Sequence, residues 1–145
     1  MELNPCVIEA RSNEYVSSTE NSNIPYTIDE IVRSAVRVQE AGATVLHMHA
    51  RTASGDADNS VETNARLIKA IRENTDLYIH STLGFFTNDD TPADRIENVR
   101  RLCQDLKCGP DIVPIDVGSC NLEVYDHDEK TVTSINLYEN RTDSI

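Results

Sequence analysis

Basic residues are scarce in this chain of 145 residues. There are 13 Lys and Arg against 25 Asp and Glu, which gives a formal net charge of -12 at pH 7. Nucleic acids and anionic membrane surfaces are bound through clustered Lys and Arg, so this balance argues against both as partners. Long apolar runs are also missing, since none approaches the roughly 18 residues of a membrane-spanning helix. Residues 1–10 contain no basic region followed by an apolar stretch, so we expect no secretory signal.

Cysteine pairs of the metal-binding or redox type are absent as well. The four cysteines, at positions 6, 103, 108 and 120, form no CxxC pair and match no zinc-finger spacing. Without a secretory signal, we expect reduced thiols in a cytoplasmic protein. The 39% of hydrophobic and 26% of charged residues are typical of a globular domain.

Short apolar runs alternate regularly with helical patterns, which is typical of βαβ units and a parallel sheet. Strands are predicted at residues 6–10, 44–50, 77–82 and 111–117. Residues 121–138 are predicted to form a hairpin or an extended loop. The order is therefore β-α-β-α-β-α-β, followed by a segment of a different kind.

The three predicted helices begin at recognisable capping residues. These are a capping box of Thr27 with Glu30, then Ser60, then Thr91 with Pro92 at the first helical position. Gly42 should end the first helix, where a left-handed residue is favoured. Apolar residues at helical spacing should face the sheet in each helix. They are Ile28, Ile31, Val32, Ala35 and Val38; Val61, Ala65, Ile68 and Ile71; and Ile96, Val99, Cys103 and Leu106.

Four strands in this order fit two architectures. One is half of a (β/α)8 barrel, a fold that takes about 250 residues when complete. The other is a small flavodoxin-like open sheet, in which ligands also bind at the C-terminal ends of the strands. In a half barrel the last strand would be uncovered and would favour pairing with another chain.

The second predicted strand contains the most informative chemistry. Side chains alternate between the two faces of a strand, so His47 and His49 should point the same way. Leu46, Met48 and Ala50 should point the other way, toward the covering helices. Two imidazoles side by side at the end of a parallel strand can chelate one metal ion. The alternative is a pair of hydrogen-bonded structural histidines.

Polar residues also follow the other strands. Glu9, Glu14 and Asp116 could orient an imidazole or hold substrate, or could be ordinary polar residues near strand ends. Ser81 and the turn amides near Gly84 could hold a carboxylate or a developing oxyanion. The simpler interpretation of that segment, which includes His80, is a plain strand-to-loop junction.

The segment from Asp116 to Asn121 offers a similar set of polar groups at the next strand end. Cys120 lies within it, but no base is evident beside it in the sequence. We therefore do not expect it to be a nucleophile.

Several motifs in order resemble the β-keto acid cleavage enzymes, a family that includes the 3-keto-5-aminohexanoate cleavage enzyme. They are NIPYT at 23–27, EAGA at 40–43, HMHAR at 47–51, STLG at 81–84 and GSCN at 118–121. The resemblance extends over residues 6–141. It implies a zinc-dependent (β/α)8 TIM barrel, usually oligomeric, which condenses a β-keto acid with acetyl-CoA to give acetoacetate and a new CoA thioester. Zinc in such a site can polarise the ketone and stabilise an enolate.

The resemblance also implies roles for particular residues. His47 and His49 match the two zinc-binding histidines of the family. Glu14 matches a glutamate that contacts substrate, with Glu9 as a possible rival. The positions that match contacts to the keto acid are Ser81, Gly84 and Ser119, and Asn121 is a weaker match.

In the family, a third zinc ligand, a glutamate, comes from a late strand that has no counterpart in residues 1–145. We therefore expect residues 1–145 to be the N-terminal half of the TIM-barrel domain, an incomplete barrel of four strands and three helices truncated before the fourth helix. Such a chain would act as an acyltransferase in a full-length or complemented form, as a homo-oligomer or with a complementing C-terminal half. The alternative is a catalytically inactive fragment or oligomerising remnant of the family.

Overall fold

The computed structural model describes residues 5–14, 18–82, 92–114 and 120–138. Its centre is a parallel sheet of three strands, β1 (Glu9–Arg11), β2 (Val45–Met48) and β3 (Tyr78–Ser81), in the order β1-β2-β3. The helices α1 (Ile28–Glu40) and α2 (Val61–Asn74) connect successive strands. The predicted α/β class and the first two βαβ units are therefore confirmed.

The strands are shorter than predicted, and β1 begins three residues later than expected. Their order is sequential, with β2 in the middle. A flavodoxin-like sheet would have the order 2-1-3, with the first strand in the middle. The flavodoxin-like order is therefore wrong for these three strands.

Helix α1 begins and ends as its sequence predicts. The backbone N–H of Thr27 donates to Glu30 Oε2 at 2.9 Å, and the N–H of Glu30 donates to Thr27 Oγ1 at 3.3 Å. The pKa of Glu30 is lowered because the backbone N–H groups of Thr27 and Tyr26 donate to its carboxylate. Gly42 follows the helix with φ of 95°, a conformation that glycine adopts without steric cost.

Helix α2 is capped by Ser60, whose side chain accepts from the N–H of Thr63 at 3.3 Å. Like α1, it packs against one face of the sheet, and the two helices also contact each other. The apolar core between the helices and this face consists mainly of Ile31, Ala35, Leu46, Met48, Leu67, Ile68, Ile71 and Ile79. Each large side chain buried there stabilises the fold by roughly 1.5–3 kcal/mol relative to exposure. The stripes predicted for the first two helices are therefore on the buried side.

The predicted buried stripe of the third helix is wrong. The helix α3 (Pro92–Arg100) continues into a π-helical turn at Arg101–Asp105, in which the N–H of Leu106 donates to the carbonyl of Arg101 at 3.0 Å. Ile96 is 67% exposed and Leu106 is 47% exposed, whereas Leu102 is buried against the core. A π turn adds a residue to the helical repeat. The regular spacing on which the prediction relied is therefore not maintained to Leu106.

Of the fourth predicted strand, residues 111–114 are described, and they form a single bridge. Ile112 pairs with His80 in the parallel direction, and the Asp111 carboxylate accepts from the N–H of Ile79 at 2.8 Å. Residues 115–117 of the prediction lie outside the described residues. Beyond them, β4 (Cys120–Asp126) and β5 (Thr131–Tyr138) form an antiparallel hairpin, so the hairpin interpretation of this segment is confirmed.

No helix in the described ranges combines the length and the apolar character needed to cross a membrane.

Candidate metal centre

His47 and His49 lie on the face of the sheet opposite the helices. Both are buried, with 8% and 4% of their surface exposed, while their neighbours Leu46 and Met48 are in the core on the other side. The two Nε2 atoms are 3.0 Å apart, and the rings are nearly perpendicular at 77°. The predicted arrangement of the two imidazoles on one face is therefore confirmed.

The carboxylate of Glu14 lies beside the two facing Nε2 atoms. Its Oε2 lies 3.4 Å from His49 Nε2, and its Oε1 lies 3.7 Å from His47 Nε2. Zinc bonds of about 2.0–2.1 Å at tetrahedral angles place neighbouring ligand atoms about 3.3 Å apart. The three distances are close to that spacing, so two imidazoles and one carboxylate form one face of a tetrahedral site.

Asn13 fixes the end of β2 relative to the loop that carries Glu14. Its buried amide donates to the carbonyl of His49 at 2.8 Å and to that of Pro25 at 3.2 Å. Its Oδ1 accepts from the N–H of His49 at 2.9 Å. The backbone pairing ends with the N–H of Ser12, which donates to the carbonyl of His47 at 3.1 Å, and the Asn13 side chain replaces it beyond that point. No sequence pattern predicts this role, because Asn13 lies in a polar stretch typical of a loop.

Arg51 anchors the same loop from the other side. Its guanidinium donates to the backbone carbonyls of Asn13, at 2.9 Å, and of Glu14. It also donates to the carbonyl of Gly55 at 2.6 Å and lies over the ring of Tyr26, 5.4 Å from the ring centroid. A buried or half-buried guanidinium satisfies several carbonyls at once because it has five fixed donors. Arg51 therefore positions the backbone of the loop that carries Glu14.

Burial sets the protonation of the histidine pair. Removal from water lowers the pKa of His47, against the opposing effect of the Glu14 carboxylate. The same desolvation, with the neighbouring His47 as the next cause, lowers the pKa of His49 to about 4. Both rings are therefore neutral at pH 7, which is the form that binds a metal ion. The donor set, its spacing and its protonation all fit a zinc ion.

A second group of potential ligands adjoins the first. The Cα atoms of Arg11, His47 and His80 form one row across the three strands. His80 Nδ1 lies 3.1 Å from Glu9 Oε2, and the His80 ring contacts the His47 ring at 4.7 Å between centroids. The sequence pattern favours a plain strand-to-loop junction for the segment that includes His80. The register that places it beside His47 was not visible in the sequence.

Arg11 connects the two groups of ligands. Its guanidinium lies 3.0 Å from Glu14 Oε1 and 3.7 Å from Glu9 Oε1, and most of its side chain is exposed. It therefore offsets part of the negative charge of both carboxylates.

The remaining predicted site residues are not brought to the histidines by the described structure. Ser81 is buried and pairs with Met48, so it lies in the row of side chains that faces the core. Asn121 lies in β4. Gly84, Asp116 and Ser119 lie outside the described residues. Their roles in substrate binding stay predictions.

Comparison with known proteins gives a consistent family. Residues 5–144 match the family model of the beta-keto acid cleavage enzymes. A 3-keto-5-aminohexanoate cleavage enzyme of Acetoanaerobium sticklandii is 32% identical over 127 residues, which are 85% of this chain and 44% of that protein. The enzyme of the same name from Fusobacterium nucleatum is 31% identical over 121 residues, 81% of this chain and 42% of that protein.

A third relative is the 3-oxoadipate:acetyl-CoA acetyltransferase of Cupriavidus necator. It is 29% identical over 126 residues, 85% of this chain and 42% of that protein. The chain thus spans less than half of the length of these curated relatives.

Proposed function

The chain belongs to the beta-keto acid cleavage enzyme family, and from this we propose that it forms the metal-binding part of a zinc-dependent acyltransferase. The reaction we propose joins a β-keto acid and acetyl-CoA and yields acetoacetate and a new acyl-CoA. The names of the relatives support this class of reaction, since one is a keto acid cleavage enzyme and another an acetyl-CoA acetyltransferase. The observation that carries the proposal is the cluster of His47, His49 and Glu14.

His47 and His49 would hold the zinc ion through their Nε2 atoms, which face each other at 3.0 Å. A zinc ion bound there would supply a Lewis acid for the carbonyl oxygen of a keto acid. The chain itself keeps both imidazoles neutral by burial and holds the end of β2 through Asn13. These features hold the two ligands in place before the ion arrives, which limits the entropy lost on binding.

We propose two alternative roles for Glu14, as a zinc ligand or as a contact to substrate, and one substitution distinguishes them. It lies at a ligand's distance from both histidines, and it also matches the substrate-contacting glutamate of the family. A Glu14→Gln variant that keeps its zinc would show that the carboxylate acts on substrate. A variant that loses zinc would show that it completes the metal shell. Gly84 and Ser119 remain proposed contacts to the keto acid; the same proposal for Ser81 requires its side chain, which faces the core in this structure, to turn toward the site.

We propose that the sheet is part of a (β/α)8 barrel. The sequential strand order supports this, as do α1 and α2 on one face of the sheet with polar ligands on the other. Several large apolar residues are exposed, among them Tyr78, Ile96 and Ile112. They support an assembly in which a complementing C-terminal half or a second copy of the chain covers them. The same exposure also favours the second candidate function, an oligomerising member of the family without catalysis.

Zinc content of the purified chain tests the proposal directly. We expect close to one zinc ion per chain, and loss of that ion in a His47→Ala/His49→Ala variant. His127→Ala is the matched control, because this exposed histidine lies in the turn of the hairpin. A folded wild-type chain without zinc, or a double variant that retains it, would overturn the proposed site.

An activity assay then separates the two candidate functions. The zinc-loaded chain is mixed with the C-terminal half of a relative, and formation of acyl-CoA from acetyl-CoA and a β-keto acid is measured. Product that disappears in the His47→Ala/His49→Ala variant supports the acyltransferase. A folded, zinc-loaded mixture that forms none supports the oligomerising alternative.

A further inference from the structure

His47 has potential ligands on two sides. On one side its ring lies 4.9 Å from that of His49 at an interplanar angle of 77°, and on the other it lies 4.7 Å from that of His80 at 73°. The two pairs therefore have nearly the same geometry. Glu14 stands beside the first pair and Glu9 beside the second. Each side thus combines two imidazoles with one carboxylate.

On the side of His47 that faces His80, ring nitrogens are available to bind a metal ion. A carboxylate only accepts, so the contact of 3.1 Å between Glu9 Oε2 and His80 Nδ1 places the proton on Nδ1. His80 Nε2 then carries a lone pair. Within the described residues, His80 Nε2 and His47 Nδ1 are both buried and have no hydrogen-bond partner. Buried polar atoms normally have one, and an ion is among the explanations for those that do not.

We propose that His47 and His80, with Glu9 behind His80, form a second position for a divalent metal ion such as Zn²⁺, adjacent to the first position and sharing His47 with it. A ring nitrogen of each histidine and a carboxylate oxygen of Glu9 lie within 4.8 Å of one another. His80 Nε2 and His47 Nδ1 bind the ion, because both are buried without a hydrogen-bond partner among the described residues and imidazole nitrogen suits zinc. Glu9 fixes the tautomer and orientation of His80, as carboxylates commonly do behind a metal-binding histidine.

Because both metal positions use His47, an ion can occupy only one of them at a time. A neutral imidazole has one lone pair and one N–H, so His47 serves one position at a time. The wild-type chain should therefore bind one ion in total. The second position becomes measurable when the first is disabled and His47 is free to use Nδ1.

Zn²⁺ titration in a His49→Ala background isolates the second position. We expect this variant to bind one equivalent more weakly than wild type, and a His49→Ala/His80→Ala variant to bind none. A His49→Ala/His80→Gln variant, which keeps a side chain of similar length, should also bind none. A His49→Ala/His127→Ala variant is the matched control and should bind as His49→Ala does. Glu9→Gln in the same background should weaken binding roughly 10- to 100-fold, the usual effect of losing an orienting partner.

A second readout does not depend on substitution at His80. In the His49→Ala variant, zinc should shift the ¹⁵N resonance of His80 Nε2 and leave that of His127 unchanged. The inference is overturned if His49→Ala binds no zinc, or if adding His80→Ala changes nothing. Either result leaves the first site intact, because wild type and a single His80→Ala variant would still bind zinc through His47 and His49.

Discussion

The two faces of the three-stranded sheet have different tasks. One face buries Leu46, Met48 and Ile79 against α1 and α2, and the apolar core is continuous there. The opposite face carries Glu9 and Arg11 in β1 and His47 in β2, with His80 level with them in β3. Alternation of side chains along each strand allows one short segment to supply packing to one side and ligands to the other. Stability and chemistry should therefore respond to different substitutions.

The largest expected effect comes from the packed face. Leu46→Ala should lower the free energy of unfolding by about 2–5 kcal/mol, because it leaves a cavity in a core where Leu46 is fully buried. The folded fraction should still bind zinc. Urea unfolding followed by circular dichroism measures the change.

Tyr78→Ala is the matched truncation on the other face. Tyr78 is 58% exposed, so in a chain that no second copy covers, its removal should change the free energy of unfolding by no more than about 1 kcal/mol. A decrease in the free energy of unfolding as large as that of Leu46→Ala would contradict the difference between the two faces. It would show that this face is covered in solution.

Substitution of Asn13 tests whether stability and zinc binding depend on the same residue at the end of β2. Asn13→Ala leaves the N–H and carbonyl of His49 without their partner, which should cost about 1–3 kcal/mol of stability. Zinc should also bind more weakly, roughly 10-fold or more, because His49 is no longer held. Asn74→Ala is the control, since its exposed amide bonds only the carbonyl of Ala70. Equal effects of both variants in urea unfolding and zinc titration would contradict a positioning role.

The ligand face should also make the metal-free protein sensitive to acid. His49 has an ordinary pKa of 6.5, which is lowered to about 4 by burial in the folded chain. As the pH falls from about 6.5 toward 4, the unfolded chain takes up a proton that the folded chain does not, so the free energy of unfolding decreases. Unfolding by urea at several pH values measures this slope.

His49→Asn should reduce that slope, because the titrating group is gone. His127→Asn should leave the slope unchanged, since His127 is exposed in the hairpin turn. Equal slopes in wild type and His49→Asn would show that burial of His49 does not oppose its protonation.

A small effect is expected at the N-terminal cap of α1. Thr27→Ala removes one half of the capping box of α1 and should lower the free energy of unfolding by about 1 kcal/mol. Zinc binding should not change. Thr27→Ser keeps the oxygen that accepts from Glu30 and should be close to wild type in urea unfolding. If Thr27→Ser were as damaging as Thr27→Ala, the cap would not be the cause.

Local signals predicted much of the fold. The caps at Thr27 and Ser60 and the end at Gly42 depend on residues within a few positions of one another, and all three are found in the structure. The shared face of His47 and His49 depends only on alternation along a strand. The π turn at Arg101–Asp105 interrupts the helical spacing before Leu106, whereas Ile96 precedes the turn and lies on a side of α3 that the described residues leave exposed.

The carboxylates of Glu9 and Glu14 show what local sequence patterns do not predict. The pattern of strands predicts both Glu9 and Glu14 as residues near strand ends, and only the family resemblance favours Glu14. The structure gives each a different partner, since Glu14 stands beside His47 and His49, and Glu9 beside His80. That assignment depends on which strands are neighbours and in which register they pair.

The sequence by itself determined the α/β class, the ends of the first two helices and the two imidazoles on one face, because each of these follows from spacing within a single segment. The tertiary structure alone decided the contact of Glu9 with His80, which are 71 positions apart, and that of Asn13 with His49, 36 positions apart. The tertiary structure also decided that Arg51 holds the loop of Glu14. Such contacts arise only when strands pair in one register, and the free energy that selects the register comes from burial of the apolar face as a whole.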